Sequence, residues 1–204
     1  METTPINNEN TAPKKKFSFT GMVFDVVSIF TSALVIIALL FTFCIRFVGV
    51  DGRSMMPTLN HGDWLLVSAI NNEIDVGDIV ISTQPNSFNE PLVKRVIAKG
   101  GQTVDIDFIT GAVYVDGQKL DEPYIMELTH TSEGVSFPLT VPEGTLFLMG
   151  DNRNDSTDSR STLVGCVDER YILGVVMFRL APDFTKIDGR DCLTAVLCFF
   201  RRKI

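Results

Sequence analysis

The sequence predicts a mostly β protein: an antiparallel, sheet- or barrel-like domain carried on one N-terminal transmembrane helix. Two observations lead there. From Val26 to Ile45, twenty consecutive residues carry no charge. At ~1.5 Å rise per residue, such a helix covers roughly 30 Å, enough to cross a bilayer. Beyond it the texture changes to short β-branched runs divided by turn signals. Many short strands with few helical periods imply antiparallel pairing, and an apolar content of 45% is ample for a core.

In chain order, residues 1–21 form a polar tail containing Lys14-Lys15-Lys16, and residues 22–46 form the anchor. A cleaved leader would have a shorter apolar region, ~7–15 residues, ending in a small-x-small site. Phe43-Cys44-Ile45-Arg46-Phe47 is no such site. A buried soluble helix would rarely be apolar on every face. The lysine triplet before the run, against Arg46 alone after it, places the N-terminus in the cytoplasm and residues 47–204 outside.

Strands are expected at Phe47–Val50, Trp64–Ile70, Ile79–Thr83, Leu92–Lys99, Thr103–Asp107, Ala112–Val115, Thr145–Met149 and Tyr171–Leu180. Turns such as His61-Gly62-Asp63, Gly100-Gly101 and Asp116-Gly117 separate them. Residues 105–143 carry a hairpin and then the polar stretch Glu127–Glu143, and read as a small inserted subdomain. In residues 192–203, Leu193, Val196, Leu197 and Phe200 share a helical face before Arg201-Arg202-Lys203. That tail is too short to span a bilayer. It reads either as a helix packed on the domain or as an amphipathic segment lying against anionic lipid.

The formal net charge of −7 argues against nucleic acid as a partner, which calls for a clustered basic surface. Cys44, Cys166, Cys192 and Cys198 show neither metal-ligand spacing nor a disulfide framework. No cofactor and no metal is implied.

Ser54 lies in the turn Gly52-Arg53-Ser54-Met55-Met56-Pro57-Thr58-Leu59 and is the candidate nucleophile. A serine hydroxyl needs a base, and known solutions use His or Lys. His61 and His130 are both loop residues. Lys94, in the strand Val93-Lys94-Arg95-Val96, shares its face with Leu92, Val96 and Ala98. Removing an ammonium from water favours the neutral amine, which can take a proton from a hydroxyl. The loop Gly150–Arg160 interleaves acids with Arg153 and Arg160, which suits internal ion pairing better than a metal site.

These segments together resemble the bacterial type I signal peptidases. Ser54–Leu59 matches their Ser-Met-x-Pro-Thr-Leu box, Gly77–Val80 the Gly-Asp-x-Val box and Lys94–Val96 the Lys-Arg-Val box. Gly150–Arg160 matches Gly-Asp-Asn-x(3)-Ser-x-Asp-Ser-Arg. The resemblance implies a membrane-bound serine endopeptidase acting on signal peptides of exported preproteins, with Ser54 as nucleophile and Lys94 as general base. It further implies that Ser156 hydrogen-bonds and orients the lysine amine, that Asp158 pairs with Arg160, and that Asp151 pairs with Arg95. Pockets for small residues one and three positions before the cut would be lined by Met55, Leu59, Leu92 and Val93, and by Val48, Val50 and Val93. Two departures stand out. Gly52 occupies the position where Gram-negative members carry an oxyanion-binding serine, which leaves the Ser54 N–H and a second, unidentified donor. After the lysine box, Lys99-Gly100-Gly101-Gln102 replaces a Gly-x-Pro-Gly-Asp turn.

Two other readings compete. A regulatory Ser-Lys protease on the same fold would carry a DNA-binding helical domain rather than the membrane span. A tethered peptide-binding β domain would have no need of both Ser54 and Lys94.

Overall fold

The computed structural model describes residues 19–69, 73–85, 90–181 and 185–186. It divides into two compact units, residues 1–40 and 41–204. The stretches 1–18 and 192–203, with the lysine triplet and the apolar tail, lie outside the described residues.

Helix α1 (Phe19–Phe43) contains a 21-residue stretch, Phe19–Leu39, long and apolar enough to cross a membrane. Asp25 is its one charged residue. The Thr31 hydroxyl donates to the Val27 carbonyl, and that of Ser32 to Ser28 at 2.8 Å. Both polar side chains are thus satisfied within the helix, as an apolar surrounding requires. The helix begins three residues before the expected anchor and stops three residues short of its end. Ile45 and Arg46 belong instead to strand β1 (Ile45–Gly49), paired with Ser68 and Val67. Apolar composition reads alike in a span and in a strand, so only hydrogen-bond pairing places the boundary.

The second unit is built on two antiparallel sheets. In the larger, β1 leads to β2 (Trp64–Ser68), β11 (Ile172–Ala181), β3 (Ile79–Ser82), β4 (Leu92–Lys99), β9 (Thr145–Met149) and β10 (Val167–Asp168). Strand β12 (Thr185–Lys186) adds to β11. The smaller sheet has the order β7 (Gln118–Lys119), β6 (Ala112–Val115), β5 (Thr103–Asp107), β8 (Leu139–Thr140). The eight long strands stand where sequence puts them, within one or two residues at most ends. The two-residue strands β7, β8, β10 and β12 escape sequence reading because so short a run carries no periodicity.

The smaller sheet shares a core with the larger one. Ile97 and Ala98 of β4 and Phe147 and Met149 of β9 share one buried cluster with Val104, Ile106, Val113 and Val115 of β5 and β6. Phe137 extends that core, meeting Phe147 edge to face at 5.9 Å. A second cluster, including Met55, Leu59, Leu65, Val67 and Ile79, lies under the turn that carries Ser54. β11 is central to the large sheet and passes β2 at Gly174. There a Cβ would come within 2.1 Å of the Ser68 carbonyl oxygen, so only glycine fits the backbone approach.

Candidate active site

Two apolar anchors shape the turn carrying Ser54. Met55 and Leu59 stand four residues apart and are both buried in the second cluster, and the Leu59 N–H donates to the Met55 carbonyl at 2.9 Å. Burying two large side chains of one short turn contributes roughly 1.5–3 kcal/mol each and fixes the polar residues between and before them. Gly52 has a φ of +101° with no atom near a hypothetical Cβ, so backbone conformation rather than space demands glycine there. The Ser54 carbonyl accepts from Asn152 N–H at 3.0 Å, and Asn152 Nδ2 donates to the Arg53 carbonyl at 3.1 Å. The turn is thereby stitched to the loop that follows β9.

Lys94 lies on β4 opposite Val80 of β3, two residues before Val96, and is only 4% exposed. Its Nζ lies 2.7 Å from Ser54 Oγ, joined by a hydrogen bond. Burial pushes the Lys94 ammonium below its ordinary value. Asp158 and then Glu133 pull it upward, Arg160 lowers it, and Asp151 raises it slightly. Desolvation is the largest of these effects, and among the described residues no carboxylate forms an ion pair with the amine. A neutral amine at this distance is within proton-transfer reach of the hydroxyl. His61, with Nδ1 3.1 Å from Asp51 and accepting from the Gly52 N–H at 3.3 Å, is exposed. His130 is exposed too, its Nδ1 3.0 Å from the Phe108 carbonyl.

The loop from Gly150 to Arg160 is dense in polar groups and yet largely buried, with Asp151, Arg153, Asp158, Ser159 and Arg160 essentially without exposed surface. Buried charges persist only when paired and hydrogen-bonded, and here each has its partners. The Asp158 carboxylate accepts from Arg160 Nε and Nη2 (both 2.8 Å), Gly150 N (2.9 Å), Ser156 Oγ (2.9 Å) and Arg160 N (3.2 Å). Arg160 also donates to the carbonyls of Arg153 (2.6 Å) and Thr131 (3.1 Å). Asp151 takes a bidentate pair from Arg95 Nε and Nη2 (2.8 and 2.6 Å) together with the Thr58 hydroxyl (2.5 Å). Ser156 differs from the expectation that it binds the lysine amine. Among the described residues its hydroxyl donates to the Asp158 carboxylate at 2.9 Å, while the Lys94 amine hydrogen-bonds Ser54 Oγ and not Ser156.

At Gly150 the two halves of the site meet. A Cβ there would lie 2.2 Å from Ser156 Oγ and 2.5 Å from the Ser54 carbonyl oxygen, so any larger residue would push turn and loop apart. Glu122, Thr129 and Tyr124 bear on the site without having stood out in the sequence. Arg153, fully buried, pairs with both oxygens of Glu122 (2.5 and 3.1 Å) and donates to Thr129 Oγ1 at 3.0 Å. The Tyr124 ring lies 4.0 Å from the Arg95 guanidinium, a cation–π contact. Burial, then Glu122, pushes the Tyr124 hydroxyl up to about 12. All three partners come from residues 122–129, within the stretch 105–143 that reads in sequence as a small inserted subdomain.

Of the expected pocket residues, Val48 and Val93 are half-buried and packed against the second cluster, and Leu92 is half-buried as well. Val50, Met55 and Leu59 are core, and Leu59 has no exposed surface. Leu59 therefore has no surface to offer a bound chain.

Comparisons with known proteins give the family. The family model described as signal peptidase, peptidase S26, matches residues 23–181. The chain belongs to this peptidase family. Signal peptidase I T of Bacillus subtilis is 38% identical over 186 residues, covering 86% of this chain and 92% of that protein. The probable signal peptidase I-1 of Synechocystis is 36% identical over 164 residues, covering 73% and 80%. A crystal structure of a signal peptidase I from Enterococcus faecalis V583 is 28% identical, with a TM-score of 0.42, covering 51% of this chain and 97% of that one. As a member of the S26 signal peptidases, the protein is a serine endopeptidase.

Two stability outcomes follow. Asp158→Ala leaves the Arg160 guanidinium buried without its carboxylate and should cost about 3–5 kcal/mol. Ser156→Ala removes one of five donors to that carboxylate and should cost only about 1.5 kcal/mol. Urea unfolding of both variants checks this, and equal shifts would contradict it. The second concerns Lys94. A lysine held below its ordinary value binds fewer protons folded than unfolded, so it opposes folding increasingly as pH falls through the interval between the two values, and fully below the folded one. Lys94→Met should be at least as stable as the parent near pH 7, its advantage shrinking as pH rises towards ~10.4. Thermal unfolding across that pH range reads the difference. A clearly less stable Lys94→Met protein at pH 7 would mean that the amine is solvated.

Proposed function

We propose that the protein is a membrane-anchored signal peptidase that cuts exported preproteins after small residues, with Ser54 as nucleophile and Lys94 as general base. One observation carries the reading: the Lys94 amine, buried and depressed, sits 2.7 Å from Ser54 Oγ. The neutral amine takes the hydroxyl proton as Oγ attacks the scissile carbonyl. It then returns that proton to the departing amine of the mature chain, leaving the signal peptide as an ester on Ser54. Water, deprotonated by the same amine, hydrolyses that ester and restores the hydroxyl. The Ser54 N–H is one donor to the developing oxyanion, an interaction worth about 3–4 kcal/mol in comparable sites. Asp158 and Arg160 hold the loop, Arg95 and Asp151 hold turn and strand together, and Ser156 acts through Asp158.

The substrate enters as an extended strand, so that alternate side chains enter pockets. Leu92 and Val93, backed by Met55 and Leu59, receive the residue before the cut. Val48, Val50 and Val93 receive the one two positions earlier. Walls of this bulk admit alanine and exclude larger side chains. Residues 1–21 lie in the cytoplasm, 22–46 contain the anchor and 47–204 form the catalytic part outside, the orientation favoured by Lys14-Lys15-Lys16.

Full-length protein in detergent should cleave a peptide with Ala one and three positions before the bond. Ser54→Ala and Lys94→Ala should each reduce cleavage to near background, and the double variant should be little worse, since residues acting as one unit are non-additive. Replacing His61 and His130 together should leave most of the activity; a folded but dead histidine variant would refute the Ser-Lys pair. For orientation, protease added outside spheroplasts should digest the C-terminal part and spare roughly the first twenty residues, which the membrane shields. The reverse pattern would place the catalytic part in the cytoplasm.

A further inference from the structure

The segment after the smaller sheet's hairpin runs along the catalytic loop and is tied to it from end to end. Met126 N–H donates to the Asp151 carbonyl (3.1 Å), and the N–H groups of His130 and Thr131 both donate to Asn154 Oδ1 (3.0 Å). Val135 N–H donates to the Arg160 carbonyl (3.1 Å), and Gly134 forms an antiparallel bridge with Ser161. Glu133 sits between these ties. Its Oε1 is 3.7 Å from Arg160 Nη2. The side chain is only 18% exposed.

We propose that Glu133 is a positioning residue for the reaction, a second carboxylate that shares Arg160 with Asp158 and completes the buried charge cluster facing Lys94. The proposal rests on the Ser54/Lys94 reading above. The cluster's charges explain what the carboxylate does. The groups acting on Lys94 are Asp158, Glu133, Arg160 and Asp151, and Asp151 is already matched by its bidentate pair with Arg95. Among the others, Asp158 and Arg160 neutralise each other. Because Glu133 shares that same Arg160, the trio carries one negative charge beyond its cation to answer the ammonium. Burial and the neighbouring Asp158 hold the Glu133 carboxyl above its usual range, while Arg160 and Lys94 oppose that. With Glu133 ionised, the cluster balances when Lys94 is charged; with Glu133 absent, it balances when Lys94 is neutral. Glu133 thus counteracts desolvation and keeps the amine from being permanently stripped of its proton, so that it can both take and return one.

The test is the pH profile of kcat/KM for the full-length enzyme with an Ala-x-Ala peptide. Glu133→Gln should move the acidic limb to lower pH by about half a unit, roughly a threefold gain on the limb relative to the variant's own plateau. Glu133→Asp, which keeps the charge, should return the limb towards the parent's position. Superimposable limbs, or a limb moved upward, would overturn the proposal, since a merely structural residue would lower the whole profile without displacing it. A second reading needs no activity: thermal stability of the parent, Glu133→Gln, Lys94→Met and the double variant at a pH on the limb. Paired charges make the double variant more stable than the two single effects summed, whereas strict additivity would overturn the pairing. Failure of the Ser-Lys reading would be told apart by an active Lys94→Met enzyme.

Discussion

An amine can serve as a base at neutral pH only if water is taken from it without a carboxylate moving into contact in its place. With Lys94 as the proposed base, that constraint accounts for the arrangement of charges around it. Desolvation alone favours the neutral amine; an unmatched carboxylate in contact would hold the proton on. The acids nearby are therefore occupied: Asp158 accepts five hydrogen bonds, two of them from the Arg160 side chain, and Asp151 is gripped by Arg95 and Thr58. What they exert on Lys94 is a field at a distance rather than an ion pair.

The same constraint explains why so polar a loop is buried. Charged groups exposed to water are screened and mobile, whereas groups withdrawn from it keep fixed positions. Burial is costly, and partners on both sides offset the cost. Glu122 and Thr129 meet Arg153, Tyr124 lies against Arg95, and the carbonyl of Thr131 meets Arg160. The smaller sheet holds that partner segment in place because its own strands share a core with β4 and β9, the strands that bring Lys94 and the loop together.

Much of this was legible in advance. The span announces itself through twenty uncharged residues, and the long strands through alternation and turn glycines. A lysine on an apolar strand face is costly to bury, whereas a serine in a glycine turn is ordinary, so Ser54 gains meaning only beside Lys94, the polar loop and the apolar run. The pairings of Asp158 with Arg160 and of Asp151 with Arg95 were accessible only through resemblance, since nothing in the spacing of a polar loop says which acid meets which base.

Residue order was thus enough to determine the class of fold, the anchor and the chemical candidates, because periodicity and solvation act on neighbours along the chain. Tertiary structure alone decided the rest. It ended the helix at Phe43 and gave Ile45 to a strand, because hydrogen-bond pairing is not encoded in apolarity. It turned Ser156 towards Asp158, and it made Glu122, Tyr124 and Glu133 neighbours of the site. The contacts of Glu122, Tyr124 and Glu133 join residues tens of positions apart, and electrostatic energy depends on distances in space, which no local pattern of residues carries.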